Sequence, residues 1–249
     1  MISYSKVESN RFNINVHRGV IEDNPINEVL EYARAFSPDL IILRLSATSI
    51  ENHYQLQQIE NYQVLLTDAL VYYQTDFTKF DLKEIKNNLE FISINKDNKV
   101  ELQNLVPIIF KEYKNHYFAN PILENKLISE GYIEWAQNYC SDEHDDKISW
   151  LIYKEQELIG FATCSFSTSE KVCEGVLYGV HPNFAGGGIY TDIIRFTQNY
   201  FKKLGFEKMI VSTQLQNYAV QKVWQRENFL INKAFYTYHL NKIGTKNTL

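Results

Sequence analysis

Residues 180–190 are Val180-His181-Pro182-Asn183-Phe184-Ala185-Gly186-Gly187-Gly188-Ile189-Tyr190, and this glycine-rich stretch joins two different sequence patterns. An apolar, strand-like run from Gly175 to Val180 precedes the glycines, and an amphipathic, helix-like run from Thr191 to Leu204 follows them. Glycine can adopt positive φ angles and lets an anion approach the main chain. A glycine loop between a strand and a helix therefore predicts a phosphate site built from backbone N–H groups and a helix N-terminus.

The composition is that of a folded globular protein, with 249 residues of which 45% are hydrophobic and 22% charged. The net charge of −5 disfavours a nucleic-acid partner, because no basic stripe offsets it. No apolar run approaches the roughly 20 residues that span a bilayer, and Met1–Lys6 lacks the apolar region of a secretory signal. The cysteines have neither paired nor metal-type spacing, so we expect a cytoplasmic protein with reduced thiols and no membrane partner.

The order of hydrophobic patterns predicts an α/β protein with two domains. Residues 1–87 are expected to form a small α/β domain, residues 88–243 a larger one, and residues 244–249 a flexible tail. Helical spacing of apolar residues at 26–36 and a short buried-strand pattern at 39–45 support the α/β character of the first domain.

In the second domain, apolar runs at 148–154, 158–166 and 172–180 predict an antiparallel meander that leads into the glycine loop. A strand at 208–213, a helix capped by Asn217 and a last long strand follow. The expected central sheet is therefore mixed and mostly antiparallel, with flanking helices.

Common phosphate and metal sites do not fit these patterns. A dinucleotide-binding loop has spaced glycines after the first strand of a βαβ unit, whereas here the glycines are contiguous and follow antiparallel-looking strands. The lysine of a P-loop is missing. The acidic run 142–146 has no turn that would gather its carboxylates around a cation, so we predict no metal site.

The stretch Val180-x-Pro182-x-x-x-Gly186-x-Gly188-Ile189 resembles the acyl-CoA pyrophosphate loop of GNAT-type N-acetyltransferases. Asn217, Val220, Trp224 and Phe229 follow the spacing of that family's last helix. The resemblance covers roughly residues 88–243 and implies acetyl-CoA as co-substrate, and it is compatible with a homodimer. By this resemblance, the CoA contacts are Tyr178, Gly179, Val180, Ala185, Gly186, Gly187, Gly188, Ile189, Tyr190, Asn217 and Trp224.

A narrower resemblance is to the TDP-fucosamine acetyltransferase family, whose members carry a small α/β unit ahead of the GNAT unit. The stretches Glu8–Phe12, His116–Pro121 and Thr213–Asn217 support it. The resemblance implies transfer of an acetyl group to the amine of a nucleotide-linked amino-deoxysugar. His116, Tyr117 and Asn120 are the expected acceptor contacts. A protein or polyamine amine as acceptor, and a non-catalytic CoA-binding module, remain alternatives.

The sequence departs from the family pattern at three positions. Ala185 stands where an Arg or Gln is usual, and Tyr190 where a Gly or Ala is usual. Trp224 replaces the tyrosine that enzymes of the family often use as general acid. An indole N–H donates a hydrogen bond but does not deliver a proton.

The proton-handling residues must therefore be sought elsewhere. Glu174 on the strand before the loop is the candidate base, with His181 as the alternative. Tyr218 and His239 are further candidate proton donors.

Overall fold

A computed structural model describes residues 2–22 and 26–245. The chain divides into two compact units, the first made of Met1–Val71, Lys114–Ile128 and Lys233–Leu249, the second of Tyr72–Tyr113 and Ser129–Asn232. Each unit is made of segments from separate parts of the sequence. The division into domains 1–87 and 88–243 stays a prediction. The tail expected at 244–249 lies outside the described residues from residue 246 onwards.

The described residues contain ten strands and seven α-helices. In chain order they are β1 (Ile2–Tyr4), α1 (Lys6–Phe12), β2 (Val16–Ile21), α2 (Asn27–Phe36), β3 (Leu40–Ser46), α3 (Ile50–Leu56), β4 (Tyr62–Asp76), β5 (Glu90–Ser93), α4 (Glu101–Ile109), α5 (Asn125–Gln137), β6 (Lys147–Lys154), β7 (Glu157–Ser167), β8 (Val172–Val180), α6 (Ile189–Lys203), β9 (Lys208–Gln214), α7 (Tyr218–Arg226) and β10 (Leu230–Lys242). Short 3₁₀ helices occupy Phe77–Lys79, His116–Ala119 and Pro182–Phe184. The predicted fold class, α/β with a mixed and mostly antiparallel sheet, is confirmed.

In the first unit, strand order is β1-β2-β3-β10. Strand β3 is parallel to β2 and antiparallel to β10. Its sequence Leu-Ile-Ile-Leu-Arg-Leu is apolar on both faces because both faces are covered. Ile41, Leu43 and Leu45 pack with α2 and α3, and Leu40 and Ile42 pack with Phe12, Val16, Leu123 and Ile128.

In the second unit, strand order is β9-β8-β7-β6-β5. Strands β6, β7 and β8 form the predicted antiparallel meander, and β8 is parallel to β9. The β8–α6–β9 segment is therefore a crossover connection between parallel strands. A core beneath α4 and α5 includes the fully buried Phe161 on β7. The C-terminal ends of β8 and β9 lie at the same edge of the sheet, where α6 and α7 begin.

Two local predictions need correction. The loose alternation of residues 12–20 predicts one strand, but Phe12 ends helix α1 and strand β2 begins at Val16; the short strand β1 was not predicted. Asn217 does occupy the N-cap position of α7, but its side chain makes no capping bond. Its Nδ2 instead donates to Thr213 Oγ1 at 3.0 Å, so it ties the helix start to β9.

The three cysteines are buried free thiols. Among residues 2–22 and 26–245, no helix combines the length and hydropathy needed to span a lipid bilayer.

Candidate functional site

The glycine loop has the backbone geometry of an anion cradle. Gly186 and Gly188 have φ angles of 87° and 80°, in the left-handed region that favours glycine. A Cβ built on Gly186 or Gly187 would meet no atom within 4 Å, so open space borders this part of the loop. Gly188 is the N-cap of α6, and no side chain caps the helix. The first N–H groups of α6 are therefore available to a ligand, as is usual where a helix N-terminus binds a phosphate.

Asn87 holds this loop in place from 100 residues away. Its Nδ2 donates to the main-chain oxygen of Gly187 at 3.1 Å and to Asp192 Oδ2 at 2.7 Å. Asp192 lies in the first turn of α6 and also accepts from the main-chain N–H groups of Asn87, at 2.8 Å, and of Lys86, at 3.1 Å. The buried Asp192 carboxylate is thus held by the 86–87 segment. The loop carbonyl bound by Asn87 cannot at the same time turn toward an anion.

The chain before Asn87 is fastened along α6. Asn199 Nδ2 donates to the main-chain oxygen of Lys83 at 2.9 Å, and Arg195 Nη1 donates to that of Glu84 at 3.0 Å. Arg195 also binds the buried Glu227 through both carboxylate oxygens, at 3.0 and 2.9 Å. Lys83 Nζ lies 3.1 Å from the same carboxylate. These bonds make the 83–87 segment a fixed support for the glycine loop.

Strands β8 and β9 separate at the same edge of the sheet. Their pairing runs from Val172 opposite Lys208 to Gly175 opposite Val211. Beyond that point, β8 continues to Val180 and β9 to Gln214, and within the described residues the two strands pair no further. A bulge in the β7–β8 pairing falls at the same level, where the register shifts between Thr163 and Cys164. A β-bulge of this kind bends the strand and can end its pairing with a neighbouring strand.

The separation leaves main-chain groups of β8 directed toward the gap. The N–H of His181 donates to the oxygen of Ile159 on β7, at 2.7 Å, and the N–H of Leu177 donates to Thr163 Oγ1 at 3.1 Å. Because successive residues of a strand alternate in direction, Tyr178 and Val180 aim their N–H groups away from β7, toward the gap. These are two of the predicted CoA contacts.

Trp224 and Tyr190 form the second notable feature of this edge. Trp224 on α7 is buried, packs against Tyr73 and Phe229, and its indole nitrogen has no hydrogen-bond partner among the described residues. Tyr190, in the first turn of α6, has its hydroxyl beside that indole. Burial raises the pKa of Tyr190 well above its ordinary value, and the neighbouring indole N–H only partly opposes this. The phenol therefore stays protonated at neutral pH.

The three candidate catalytic residues occupy different environments. Glu174 lies on the paired part of β8, opposite Ile210 of β9 and one residue before the pairing ends. His181 Nδ1 accepts the N–H of Asn183 at 3.2 Å. A neutral imidazole with an accepting Nδ1 carries its proton on Nε2, which makes that nitrogen a donor. Tyr218 is 64% exposed at the start of α7.

The predicted acceptor contacts lie in the first unit, within a buried polar network. His116 Nδ1 lies 2.8 Å from His239 Nε2, and Asn120 Nδ2 lies 2.9 Å from His239 Nδ1. The side-chain amides of Asn120 and Asn241 also form two hydrogen bonds with each other, each 2.9 Å long. Both oxygen and nitrogen of the Asn120 amide are thus engaged internally, which does not favour Asn120 as a substrate contact; its assignment stays a prediction.

The hydrogen-bond network fixes the histidine tautomers. Ile122 N–H donates to Asn120 Oδ1 at 3.2 Å, so the amide nitrogen is the donor toward His239. His239 then carries its proton on Nε2 and donates to His116 Nδ1, which places the His116 proton on Nε2. Burial lowers the pKa of His239 to about 3. Burial and the fields of His239, Arg18 and Arg44 lower the pKa of His116 well below its usual range. Both rings are neutral at physiological pH, so His239 is a poor proton donor.

Tyr117 joins two stretches that the sequence analysis singled out separately. Its hydroxyl donates to Glu8 Oε1 at 2.9 Å, and its ring lies 5.5 Å from that of Phe12. Glu8 is buried and also binds Ser5 and Arg18. Burial acts to raise the pKa of Glu8, but Arg18, Ser5 and Tyr117 together lower it.

The residues present fit an acyl-CoA at the second unit's edge. The glycine cradle with its uncapped helix start suits the pyrophosphate, and the gap beside Tyr178 and Val180 suits an extended thioester arm. Ala185 offers no cation, so the phosphates would be held mainly by main-chain N–H groups. Among the described residues, no group of three or more His, Cys, Asp or Glu side chains could hold a metal ion.

Residues 109–229 match the sequence model of the acetyltransferase (GNAT) family. This match spans just under half of the chain, and solved structures of GNAT proteins share the fold of the chain. A functionally unknown conserved protein from Staphylococcus epidermidis has a TM-score of 0.61 at 14% identity, over 92% of this chain and 84% of that one. A tandem GNAT protein from the clavulanic acid biosynthesis pathway has a TM-score of 0.58 at 11% identity, over 88% and 69%.

A third neighbour is the GCN5-related glucosamine N-acetyltransferase region of a fungal multi-domain β-N-acetylglucosaminidase. Its TM-score is 0.58 at 13% identity, over 86% of this chain and 27% of that one. At these identities the likeness concerns the fold. A comparison with curated protein sequences gave no significant match.

Sequence reasoning missed the support of the loop. Asn87 falls in a charged connection with no motif, and its contacts lie 100 to 105 residues away along the chain. Asp192, in contrast, is visible as an acidic residue beside the glycine loop, where it would repel a phosphate unless other groups engaged it. An acidic residue beside an expected phosphate site was therefore the sequence signal that another group engages Asp192.

We expect Asn87→Ala to weaken acetyl-CoA binding about tenfold. The loop loses the hydrogen bond that fixes the Gly187 carbonyl, and such a bond contributes about 1–1.5 kcal/mol. In steady-state kinetics, the change should appear in KM for acetyl-CoA with kcat within about twofold. Asn199→Ala is the matched control, since it removes a similar hydrogen bond to the 83–87 segment without a contact to the glycine loop. Equal rises in KM for both variants would show that Asn87 has no specific effect on the loop.

Proposed function

We propose that this protein transfers an acetyl group from acetyl-CoA to a primary amine. The observation that carries the proposal is the separation of β8 from β9 beyond Gly175 and Val211, directly beside a glycine loop at an uncapped helix start. The combination offers an extended backbone edge for a thioester arm and a cradle for its pyrophosphate. The match of residues 109–229 to the GNAT family supports the same reaction.

Acetyl-CoA supplies the activated acetyl thioester, and the chain's own groups bind and polarise it. The N–H groups of Tyr178 and Val180 are directed into the gap, where either can donate to the thioester carbonyl oxygen. One such preorganised donor is worth roughly 3 kcal/mol of transition-state stabilisation. The amine nitrogen bonds to the carbonyl carbon, the carbon–sulfur bond breaks, the amine loses a proton to a base, and the sulfur gains one.

For the proton that the sulfur gains, we propose Tyr190 as donor. This chain carries Trp224 where related enzymes have a tyrosine and Tyr190 where they have a small residue, and the two side chains are neighbours. The phenol hydroxyl that is missing at position 224 is thus provided from α6. The phenol is protonated through neutral pH, as a donor requires.

Glu174 remains the proposed base for the amine proton. It lies next to the point where β8 and β9 separate, so an intervening water is the simplest route to an amine in the gap. His181 is less suited to that role, because its accepting Nδ1 makes Nε2 a donor. Tyr218 is a second candidate donor on the exposed start of α7.

The acceptor we propose is the amine of a nucleotide-linked amino-deoxysugar. The stretches that resemble the TDP-fucosamine acetyltransferase family support this, since Tyr117 and Glu8 from two of them are hydrogen-bonded. The glucosamine N-acetyltransferase region among the structural neighbours has an amino-sugar acceptor. A protein or polyamine amine is the second candidate acceptor. A homodimer and a cytoplasmic location are part of the same proposal.

The decisive experiment measures CoA release from acetyl-CoA with three panels of acceptors: nucleotide-linked amino sugars, polyamines and lysine peptides. The proposal expects turnover with at least one amino sugar. Turnover only with polyamines or peptides would replace the acceptor class. Tight CoA binding without turnover on any panel would leave a non-catalytic CoA-binding module.

Gly187→Glu should weaken acetyl-CoA binding roughly 100-fold, because a carboxylate a few ångströms from the pyrophosphate costs about 3 kcal/mol. Gly187 is suited to this test: its φ lies outside the left-handed region and its Cβ position is open. Gly187→Gln, which has the same shape without the charge, should stay within about fivefold of wild type by titration calorimetry. Unchanged affinity in Gly187→Glu would remove the pyrophosphate from this loop.

Tyr190→Phe should lower kcat at neutral pH by about 100-fold while leaving KM for acetyl-CoA nearly unchanged, because loss of a general acid costs 10²–10⁴ in rate. Tyr218→Phe is the matched control and should retain most of the rate. A wild-type kcat in Tyr190→Phe, or a larger loss of kcat in Tyr218→Phe, would show that Tyr190 is not the proton donor.

A further inference from the structure

The indole N–H of Trp224 is a buried donor without a partner. Trp224 lies on α7 with 4% of its surface exposed, and within the part of the chain that the structure describes, its Nε1 atom makes no hydrogen bond. A buried donor that gives up water and gains no partner destabilises the fold. A role in catalysis is one of the few reasons for such a group to be retained.

The ring of Trp224 is held in one orientation. The rings of Tyr73 and Phe229 pack against it, with centroids 5.6 Å and 6.3 Å away. Tyr73 is itself fixed, because its hydroxyl donates to Gln221 Oε1 at 3.2 Å. The main-chain N–H of Phe229 donates to the main-chain oxygen of Trp224 at 3.0 Å. The packed ring therefore keeps its N–H at a fixed position.

The hydroxyl of Tyr190 is the neighbour of this N–H. Tyr190 is the second residue of α6, after the N-cap Gly188. The positive end of a helix dipole favours negative charge in the first turn. The oxygen of Tyr190 is thus bordered by a neutral donor and by a helix N-terminus, and both stabilise negative charge on it.

Proton transfer from Tyr190 to the leaving sulfur needs such stabilisation. An ordinary phenol has a pKa of about 10 and an ordinary thiol a pKa of about 8.5, so the transfer from a phenol to a thiolate is uphill. Burial raises the pKa of Tyr190 further, Trp224 opposes this rise, and Tyr113 adds to it. A donor that binds the phenolate more strongly than the phenol reduces this disadvantage.

We propose that Trp224 is a positioning residue whose indole N–H stabilises the phenolate of Tyr190 during acyl transfer. The inference rests on the proposed function, with Tyr190 as the proton donor. It accounts for two departures from the family pattern together, since position 190 carries the acid and position 224 a donor for its conjugate base. Trp224 takes part without delivering a proton, which an indole does not do.

The proton balance of the step is complete with these groups. The O–H bond of Tyr190 breaks and an S–H bond forms on the CoA thiolate, so the electron pair of the O–H bond stays on the phenolate oxygen. The indole N–H of Trp224 donates a hydrogen bond to this oxygen and remains intact. Water then returns a proton to the phenolate, and the proton of the amine passes through the base to water.

A double-mutant cycle between positions 190 and 224 tests the proposal, with acetyl-CoA and the acceptor that gives turnover in the acceptor panels. Trp224→Phe removes the N–H and should lower kcat about tenfold, with KM for acetyl-CoA within about twofold of wild type. In the Tyr190→Phe background no phenolate forms, so the same substitution should change kcat by less than about twofold. An equal loss of kcat in both backgrounds would show that Trp224 acts only through packing and would overturn the proposal.

Trp224→Tyr is the matched control, because its ring has the size of the phenylalanine ring and carries a hydroxyl donor. With Tyr190 present, kcat should be at least about threefold higher in Trp224→Tyr than in Trp224→Phe. Equal kcat in the two variants would contradict a role for the donor. Calorimetric binding of acetyl-CoA shows which variants are folded. Trp224→Leu is a second donor-free variant and enters the same cycle if Trp224→Phe does not fold.

The outcomes separate this proposal from the proposed function. No turnover by the wild-type chain on any acceptor panel would remove the acetyl transfer and this inference with it. A wild-type kcat in Tyr190→Phe would leave the acetyl transfer standing but overturn the roles of both Tyr190 and Trp224. Turnover that depends on the hydroxyl of Tyr190 but not on the indole of Trp224 would overturn the present proposal alone.

Discussion

The incomplete pairing of two parallel strands is the constraint on which the candidate site depends. Strands β8 and β9 run side by side for four residue pairs, and the bulge opposite Thr163 and Cys164 lies at the level where this pairing ends. A buried strand normally satisfies its N–H and C=O groups with neighbours on both sides. Within the part of the chain that the structure describes, Tyr178 and Val180 have no strand partner on the β9 side. Leaving them unpaired has a free-energy cost that a ligand with its own amide and carbonyl groups could offset.

The glycine end of the loop that follows β8 is held by a side chain from another segment. The Cβ positions of Gly186 and Gly187 are open, and Asn87 binds the Gly187 carbonyl and the Asp192 carboxylate together. Asp192 orders the 86–87 backbone by accepting its N–H groups. The same hydrogen bonds engage the carboxylate in the absence of an anion. The same support continues along α6 to the buried pair of Arg195 and Glu227.

Local patterns were sufficient to predict most of the fold. The meander β6–β7–β8, the glycine loop and the helix start all depend on periodicity and on glycine's conformational freedom within a few residues. Helix α1 was missed because the stretch Lys6–Phe12 is short and mixed in polarity. The contacts of Asn87, and the network of His116 with His239 across 123 residues, depend on tertiary structure that no local pattern contains. The substitutions at Tyr190 and Trp224 were visible individually, but their adjacency was not.

Hydrogen–deuterium exchange of the full-length chain, with and without saturating acetyl-CoA, tests the central claim most directly. If the unpaired edge of β8 and the start of α6 hold the co-substrate, amide exchange should slow in peptides that cover 176–180 and 186–191. Peptides from the β6–β7 hairpin should be unaffected, because their amides are already paired. Saturation by acetyl-CoA with unchanged exchange in both of the first two segments would contradict the account.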